Sequence, residues 1–262
     1  MSRAPSSAPP RRRASIPPGV LERPRRVLVV GATGRLGVDI AHALVKRGDD
    51  LVITGRDAQK LASLADELAA YATRVGSASK RPVIATVDLL DEDAPSRIAR
   101  EVRSAGPLDD IVLACGPFPR TPLDELSRDD LQRTLTVHAV APLLLVNTLA
   151  VDLAKRRGAV VALADSGVSR PYTNHVAYLT AKGALQTGLR ALAVELAPHV
   201  RVNLIALGIV ADPEADADPL RTHRLAARSP LGRFGTPPEV TQAVLALLDA
   251  TWATGEIWGI GR

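Results

Sequence analysis

Apolar runs and amphipathic segments alternate along the chain from Arg25 onward. The runs are rich in Val, Ile and Leu and are bounded by turn residues, which is typical of buried strands. They read VLVV, DLVITG, PVIATV, DIVLAC, AVVALAD and VRVNLIAL, with a short strand near 255–259. The segments between them have helical periodicity, including one long helix predicted over 130–158 and another around 175–197, and the stretch 208–235 is predicted to be irregular.

Strands that alternate with helices predict an α/β fold. Because the strands are near-continuous apolar runs, both faces of the sheet should be covered, as they are in parallel sheets. We therefore predict one domain over residues 25–262, a doubly wound parallel sheet with helices on both faces. Such sheets bind ligands beyond the carboxyl ends of their strands, and candidate chemistry is sought there.

The charge of the chain is concentrated in one segment. The formal net charge is +5, but residues 1–26 alone carry +6, so residues 27–262 come to −1. A nucleic-acid-binding face on the domain therefore has little support, although an electrostatic contact of the basic segment with a polyanion stays open. Residues 1–24 are rich in Pro, Ser and Arg, and we expect disorder there. Their arginines lack the apolar stretch that follows a twin-arginine signal.

Membrane and metal roles also have little support. No run of 18 apolar residues occurs, so no membrane partner is expected. The single cysteine, Cys115, excludes an intrachain disulfide, fits a cytoplasmic location and is interpreted as a small core residue. The acids in the irregular stretch lack metal-binding spacing and are interpreted as solvated loop charges. They are Asp212, Glu214, Asp216 and Asp218.

A glycine-rich turn follows the first strand. VVGATGRLG places Gly31, Gly34 and Gly37 where a tight turn and a helix N-terminus can hold a pyrophosphate, although a turn without ligand stays open. The second strand ends with Gly55 and Arg56, where an acid would favour NAD. A guanidinium can pair with the 2′-phosphate of NADP, unless Arg56 is simply solvated. Asp88 either accepts a hydrogen bond from the adenine or caps a turn.

A tyrosine and a lysine share one helix face. Tyr178 and Lys182 stand at positions i and i+4 in AYLTAKGAL, after the fifth strand. A nearby ammonium is expected to lower the pKa of the Tyr178 phenol, which makes it a better proton donor and acceptor near neutral pH. Asp165 ends the fifth strand, thirteen residues before Tyr178.

Taken together, these motifs resemble the short-chain dehydrogenase/reductase family over residues 25–262. The resemblance implies a Rossmann-type fold, hydride transfer from a nicotinamide, a small-molecule substrate and a homo-oligomer, tetrameric or dimeric. It implies that Tyr178 is the acid/base, that Lys182 binds the nicotinamide ribose, and that Asp165 stands where the family usually has a serine. The cofactor-binding residues implied are Gly31, Gly34, Arg35, Leu36, Gly37, Arg56, Asp88 and Lys182.

Several departures from the common family pattern are similar to pteridine reductases and dihydromonapterin reductases. Arg35 replaces the middle glycine of the turn, Asp165 replaces the serine, and Phe118 follows the fourth strand. Arg35 and Phe118 match positions that contact the pterin in those enzymes, and an aromatic ring can stack on a flat heterocycle, unless Phe118 only packs its loop. The hypothesis is that NADPH reduces a dihydropterin C=N, with Asp165 and Tyr178 supplying the proton.

Two other functions stay open. A carbonyl reductase acting on a 3-oxoacyl thioester or a biosynthetic ketone would use the same Tyr178 and Lys182. The other is a non-catalytic NADP-binding scaffold, because several positions differ from the family pattern. One of them is His138, which stands in place of the family's asparagine. His138 either preserves the proton relay or packs in the helix interface.

Overall fold

The computed structural model describes residues 24–211 and 219–261. One parallel sheet runs through this part of the chain in the order β3-β2-β1-β4-β5-β6-β7. The strands are β1 Arg26–Val30, β2 Asp50–Gly55, β3 Val83–Thr86, β4 Asp110–Leu113, β5 Ala159–Asp165, β6 Arg201–Leu207 and β7 Ile257–Ile260. The predicted fold class is confirmed. The predicted tail lies outside the described residues except for Pro24, and so do the four acids at 212, 214, 216 and 218.

Helices cover both faces of the sheet, because successive strand residues point to opposite sides. Leu28 packs into one apolar cluster and Val29 into the other. The helices against the first cluster are α3 Ala94–Ala105, α5 Ala141–Thr148, α6 Ala150–Arg156 and α7 Val176–Leu196. Those against the second are α1 Arg35–Arg47, α2 Ala58–Val75 and α9 Pro237–Asp249.

The predicted long helix over 130–158 is wrong in its continuity. The chain forms α4 Arg128–Leu135, a π-helical turn Thr136–Val140, α5 and α6. Pro142 has no N–H for the usual bond to the residue-138 carbonyl, and the Ala141 N–H instead reaches back five residues to the Thr136 carbonyl. The helices before and after Leu149 are bent by 56°.

The prediction that residues 208–235 are irregular is also wrong in part. Helix α8 spans Pro219–Ala226 within this stretch. Its charged and polar residues give only a short amphipathic pattern after a Pro- and Asp-rich segment, so the sequence signal for a helix is weak.

The amino ends of the strands carry ion pairs. Arg25 donates to Asp110 at 2.7 Å and to Asp249 at 2.9 Å, and the Ala159 N–H donates to Asp110 at 2.9 Å. Asp110 is fully buried, and burial raises its pKa to about 6. The charged groups of this edge therefore pair with one another, while the carboxyl edge presents the candidate chemistry.

Within the described ranges, no single helix has the length and apolar character needed to span a membrane. By length and composition alone, the bent pair Arg128–Thr148 and Ala150–Arg156 meets that requirement. Its apolar side chains Leu145, Leu149 and Leu153 lie in the core beneath the sheet. Across the same described residues, no group of three or more His, Cys, Asp or Glu side chains could hold a metal ion.

Candidate active site

The glycine turn packs against the segment after β4, at the point where the sheet order reverses direction. Gly31 has φ +82°, and a Cβ there would lie 2.7 Å from the Cys115 Cα. A Cβ on Gly37 would overlap the Gly31 carbonyl oxygen. Only glycines fit these two positions, and the N-terminal turn of α1, Arg35 to Gly37, is therefore drawn tightly over the end of β1. This cradle fits a pyrophosphate, since helix N-terminal N–H groups favour anions.

The end of β2 lies beside this turn. Arg56 is exposed, and Asp57 caps α2 by accepting a hydrogen bond from the Lys60 N–H at 3.0 Å. A cavity of about 430 Å³ lies between the turn and α2. Its lining includes Thr33, Asp57 and Lys60. Thr33 is a residue that the sequence reasoning did not single out, and it belongs to the same candidate cofactor region as Arg56.

Asp88 has a local partner. Its carboxylate accepts a hydrogen bond from the Leu90 N–H at 3.0 Å, which is the turn-capping alternative of the sequence analysis. The predicted contact with the adenine stays a prediction.

Arg35 points away from its own turn. Its guanidinium donates to the Ala211 carbonyl and lies 3.5 Å from the Val210 carbonyl, in the segment that follows β6. The side chain therefore joins the α1 end of the site to the start of the loop after β6. Its predicted contacts with cofactor and pterin stay predictions.

Asp165, Tyr178 and Lys182 are brought together at the carboxyl end of β5. The Tyr178 hydroxyl donates to Asp165 Oδ2 at 3.0 Å, and Lys182 Nζ donates to the Leu163 carbonyl at 2.9 Å. Lys182 Nζ lies 5.7 Å from the centroid of the Tyr178 ring. The i, i+4 spacing thus places the phenol and the ammonium on one face of α7, against the strand that carries the carboxylate.

The pKa of Tyr178 moves opposite to the sequence-based expectation. Burial and the neighbouring Asp165 raise the pKa of the phenol, while burial lowers the pKa of Lys182. The expected lowering is wrong because the phenol is buried and donates a hydrogen bond to the carboxylate, and both favour its neutral form, whereas the ammonium donates to a β5 carbonyl. The Tyr178 hydroxyl is therefore protonated at neutral pH, and its role as the acid/base stays a prediction.

A second phenol reaches the same carboxylate. The Tyr172 hydroxyl donates to Asp165 Oδ2 at 3.1 Å, and the Gly167 N–H donates to Oδ1 at 2.6 Å. Three donors converge on the two oxygens of Asp165, a pattern suited to an ionised carboxylate, which only accepts hydrogen bonds. Tyr172 was missed by the sequence reasoning because nothing in its spacing marks it.

His138 lies under this group, in the π-helical turn. It is 1% exposed, and its Nε2 lies 2.9 Å from the Pro117 carbonyl. Because a carbonyl only accepts, Nε2 carries the proton, and Nδ1 is left buried with no hydrogen-bond partner. Burial and Lys182 lower the pKa of His138 to about 3. His138 is thus a neutral, packed imidazole, and its role in a proton relay stays a prediction.

The His138 ring depends on Gly116 for its space. Gly116 has φ +106°, and a Cβ there would overlap the imidazole. The ring also meets Tyr178 edge-on, with centroids 5.2 Å apart. The chain after β4 is therefore shaped to admit a histidine where the family resemblance implies an asparagine.

Phe118 extends from the loop after β4 over the site. It is 59% exposed, stacks on His175 at 4.2 Å and meets Tyr178 edge-on at 4.8 Å. The loop is tied down because His175 Nδ1 donates to the Pro119 carbonyl at 2.8 Å. Phe118 thus packs its loop and also offers exposed ring surface beside Tyr178; its predicted contact with a pterin stays a prediction.

Cys115 is half-buried at the start of the same loop. Its thiol lies 3.8 Å from the Val137 carbonyl, and burial raises its pKa. A thiol with a raised pKa forms little thiolate, which agrees with its interpretation as a packing residue.

Comparison with known proteins gives matches over nearly the whole described domain. A family model described as enoyl-(acyl carrier protein) reductase matches residues 31–260. The chain is 31% identical over 231 residues to L-xylulose reductase from Bos taurus, covering 86% of this chain and 89% of that protein.

Solved structures are similar in fold. L-sorbose reductase from Gluconobacter frateurii, complexed with NADPH and L-sorbose, has a TM-score of 0.81 at 23% identity, with 90% of this chain and 95% of that chain covered. A structure named as a short chain dehydrogenase/reductase family protein has a TM-score of 0.76 at 28% identity, with the same coverage. These comparisons do not show a particular closeness to pteridine reductases.

Proposed function

The chain belongs to the short-chain dehydrogenase/reductase family of oxidoreductases, and we propose that it is an NADPH-dependent reductase of a hydroxylated carbonyl compound. The observation that carries the substrate class is the hydrogen bonding of Asp165. Its oxygens accept from Tyr172, Tyr178 and the Gly167 N–H, so the residue facing the substrate is an acceptor. The relatives named for L-xylulose and L-sorbose support the same class.

The charge of Asp165 favours a hydroxylated substrate. A serine hydroxyl can donate to a carbonyl oxygen that becomes negative during reduction, but an ionised carboxylate repels that charge. Asp165 is therefore best matched by an O–H or N–H group of the substrate next to the reacting carbon. The carbonyl oxygen itself is then left to Tyr178, the neutral phenol of the site.

The cofactor is proposed from the cradle and its surroundings. The turn at Gly31 and Gly37 would hold the pyrophosphate at the N-terminus of α1, and Arg56 would pair with the 2′-phosphate. When bound, NADPH supplies the hydride. Lys182 donates to the Leu163 carbonyl on the same helix face as Tyr178, and from there it would bind ribose hydroxyls.

Tyr178 completes the reduction by giving its phenolic proton to the substrate oxygen as the C=O bond becomes C–O–H. The hydroxyl first leaves Asp165 Oδ2 and turns to that oxygen, while the carboxylate accepts the neighbouring substrate hydroxyl. His138 is neutral, so it adds no positive charge beneath the phenol.

A dihydropterin remains the second candidate because of Phe118. Its exposed ring lies beside Tyr178, and a flat N–H-bearing heterocycle could stack there while donating to Asp165. The homo-oligomer and the cytoplasmic location stay predictions.

Steady-state assays of NADPH oxidation test the proposed function. The substrates are L-xylulose, 2-pentanone as the ketone without hydroxyls, an acetoacetyl thioester and dihydrobiopterin. We expect kcat/KM for L-xylulose to exceed that for 2-pentanone by at least about 10-fold, since only L-xylulose offers Asp165 a donor in place of the Tyr178 hydroxyl. Tyr178→Phe should remove turnover.

Asp165→Ser is the matched specificity control, because it replaces an acceptor by a hydroxyl that can donate. We expect it to narrow the preference for L-xylulose over 2-pentanone. Arg56→Ala should narrow the preference for NADPH over NADH. Equal turnover of both ketones by the unaltered protein contradicts the proposal, and a preference for dihydrobiopterin establishes the second candidate instead.

A further inference from the structure

Two phenols share a single oxygen at the centre of the site. Tyr178 and Tyr172 both donate to Asp165 Oδ2, at 3.0 and 3.1 Å. Tyr178 has a role in the proposed reaction, whereas Tyr172 has none. Tyr172 belongs to the segment between the 3-10 turn Ser166–Val168 and α7, so its hydroxyl reaches the carboxylate from a separate part of the chain.

The fold makes specific room for Tyr172. A Cβ on Gly167 would overlap Cε1 of the Tyr172 ring and would lie 2.8 Å from Asp165 Oδ1. The absence of a side chain at Gly167 therefore allows its N–H and the Tyr172 hydroxyl to reach the same carboxylate. The Tyr172 ring also packs edge-on against His175, with ring centroids 5.2 Å apart.

The shared oxygen creates a competition that matters for proton transfer. Tyr178 can donate to a substrate only if its hydroxyl turns away from Asp165 Oδ2. An oxygen of a half-buried carboxylate that loses its donor is costly, since unsatisfied charged acceptors are destabilising. With Tyr172 in place, Oδ2 keeps one phenolic donor while Tyr178 is engaged elsewhere.

We infer that Tyr172 is a positioning residue, which holds the Asp165 carboxylate so that Tyr178 is released to donate its proton. The inference rests on the proposed function for the part that concerns substrate. Tyr172 itself gives no proton to substrate and needs no further reactant. Its contribution is to lower the cost of breaking the hydrogen bond between Tyr178 and Asp165.

Tyr172→Phe tests the kinetic consequence, because it removes the hydroxyl and keeps the ring beside Gly167. We expect kcat with the best substrate to fall about 10-fold while KM stays within about 2-fold, as for a group that acts through the proton donor. Tyr71→Phe, on α2, is the matched control and should leave both constants unchanged. An unchanged kcat for Tyr172→Phe, or a rise in KM alone, overturns the inference.

A tyrosinate titration tests the shared carboxylate without any substrate. The chain has three tyrosines, Tyr71, Tyr172 and Tyr178, and Asp165 raises the pKa of the last two. Asp165→Asn should therefore make two tyrosines ionise at lower pH than in the unaltered protein, and only one when Tyr172→Phe is the background.

If Asp165→Asn lowers the pKa of only one tyrosine both with and without Tyr172→Phe, then Tyr172 is not held by Asp165 in solution. That result would overturn the inference. The two proposals fail separately. Absence of turnover with every substrate tested contradicts the proposed function, whereas the titration of Tyr172 and Tyr178 is read from the protein alone.

Discussion

At the scale of single residues, the site is organised around the hydrogen bonds that the Asp165 carboxylate accepts. A serine at this position would both donate and accept, but the carboxylate gathers two phenols and a backbone N–H. Burial and this carboxylate together raise the pKa of Tyr178 above the ordinary value of the phenol. In the proposed reaction, an aspartate at this position therefore affects both the pKa of the proton donor and the kind of substrate group that faces the carboxylate.

Asp165→Asn should shift the pH dependence of reduction. The proposed reduction needs protonated Tyr178, so activity is kept below the pKa of the phenol and lost as pH rises through it. Burial and the carboxylate raise that pKa, and the uncharged amide removes the carboxylate's part, so the alkaline limb of the kcat profile should move to lower pH.

The measurement is kcat against pH with saturating NADPH and substrate. The matched control is Asp152→Asn on α6, a carboxylate that pairs with Arg103 at 3.0 Å, and its alkaline limb should stay in place. A limb that moves to higher pH in Asp165→Asn would contradict the assigned role of the carboxylate.

The residues of the candidate site could be predicted from sequence only where their spacing along a helix or their position at a strand end indicates them. Tyr178 and Lys182 share a helix face by simple periodicity, and Asp165 is fixed by ending a strand. Tyr172 reaches the carboxylate through a 3-10 turn and a loop, where no periodicity applies. The raised pKa of Tyr178 also depends on burial and hydrogen-bond direction, which the order of residues does not encode.

At the scale of elements, the strands and most helices follow the apolar pattern closely. The break in the predicted 130–158 helix has local causes that are visible only in three dimensions. Pro142 and the bond from Ala141 to Thr136 create the π-helical turn, and the Arg103 guanidinium donates to the Thr148 carbonyl at 2.9 Å beside the second bend. The widened turn is the element that carries His138 inward.

Gly37→Ala should distort the first turn of α1 and weaken NADPH binding. The added Cβ would overlap the Gly31 carbonyl oxygen, so the turn must open, and we expect affinity for NADPH to fall at least about 10-fold. Gly34→Ala is the matched control, because its Cβ would lie 3.3 Å from the same oxygen and needs only a small adjustment.

Affinity is measured by titration of NADPH fluorescence, together with the thermal unfolding of each variant. Equal NADPH affinity in the two glycine variants would contradict the cradle as the cofactor site. A fall that is confined to Gly37→Ala supports it.

At the scale of the whole molecule, the two edges of the sheet have different tasks. The amino edge holds Asp110 and its ion pairs, and the carboxyl edge holds the candidate site with His138 beneath it. The alternation of strands and helices predicts the parallel sheet, but not which strands are neighbours. That order follows from crossover connections, and it places the β1 turn against the segment after β4.

His138 and Asp110, at opposite edges of the sheet, should change the free energy of unfolding with pH in opposite directions. Burial lowers the pKa of His138 from 6.5 to about 3, so the unfolded chain takes up a proton first and the free energy of unfolding falls as pH drops through this window. Burial raises the pKa of Asp110 from 3.8 to about 6, so its contribution falls as pH rises between those values.

Urea denaturation at several pH values between 4 and 6 separates the two contributions. The quantity compared is the slope of the free energy of unfolding against pH. Relative to the unaltered protein, this slope should be more negative in His138→Asn and more positive in Asp110→Asn. Over the range from pH 4 to 6, each slope difference amounts to a free energy on the order of 3 kcal/mol. Only slopes are compared, so a variant that is less stable throughout still gives an answer, and equal slopes in both variants would contradict the assignment.

The burial of Lys182 also bears on how the protein can be attached to a surface. The other lysines, Lys46, Lys60, Lys80 and Lys155, are exposed, whereas Lys182 is 6% exposed. Amine-reactive coupling chemistry would therefore anchor the molecule through these exposed lysines, one of which, Lys60, lines the candidate cofactor cavity. The lysine on which the proposed chemistry depends would stay unmodified inside the immobilised protein.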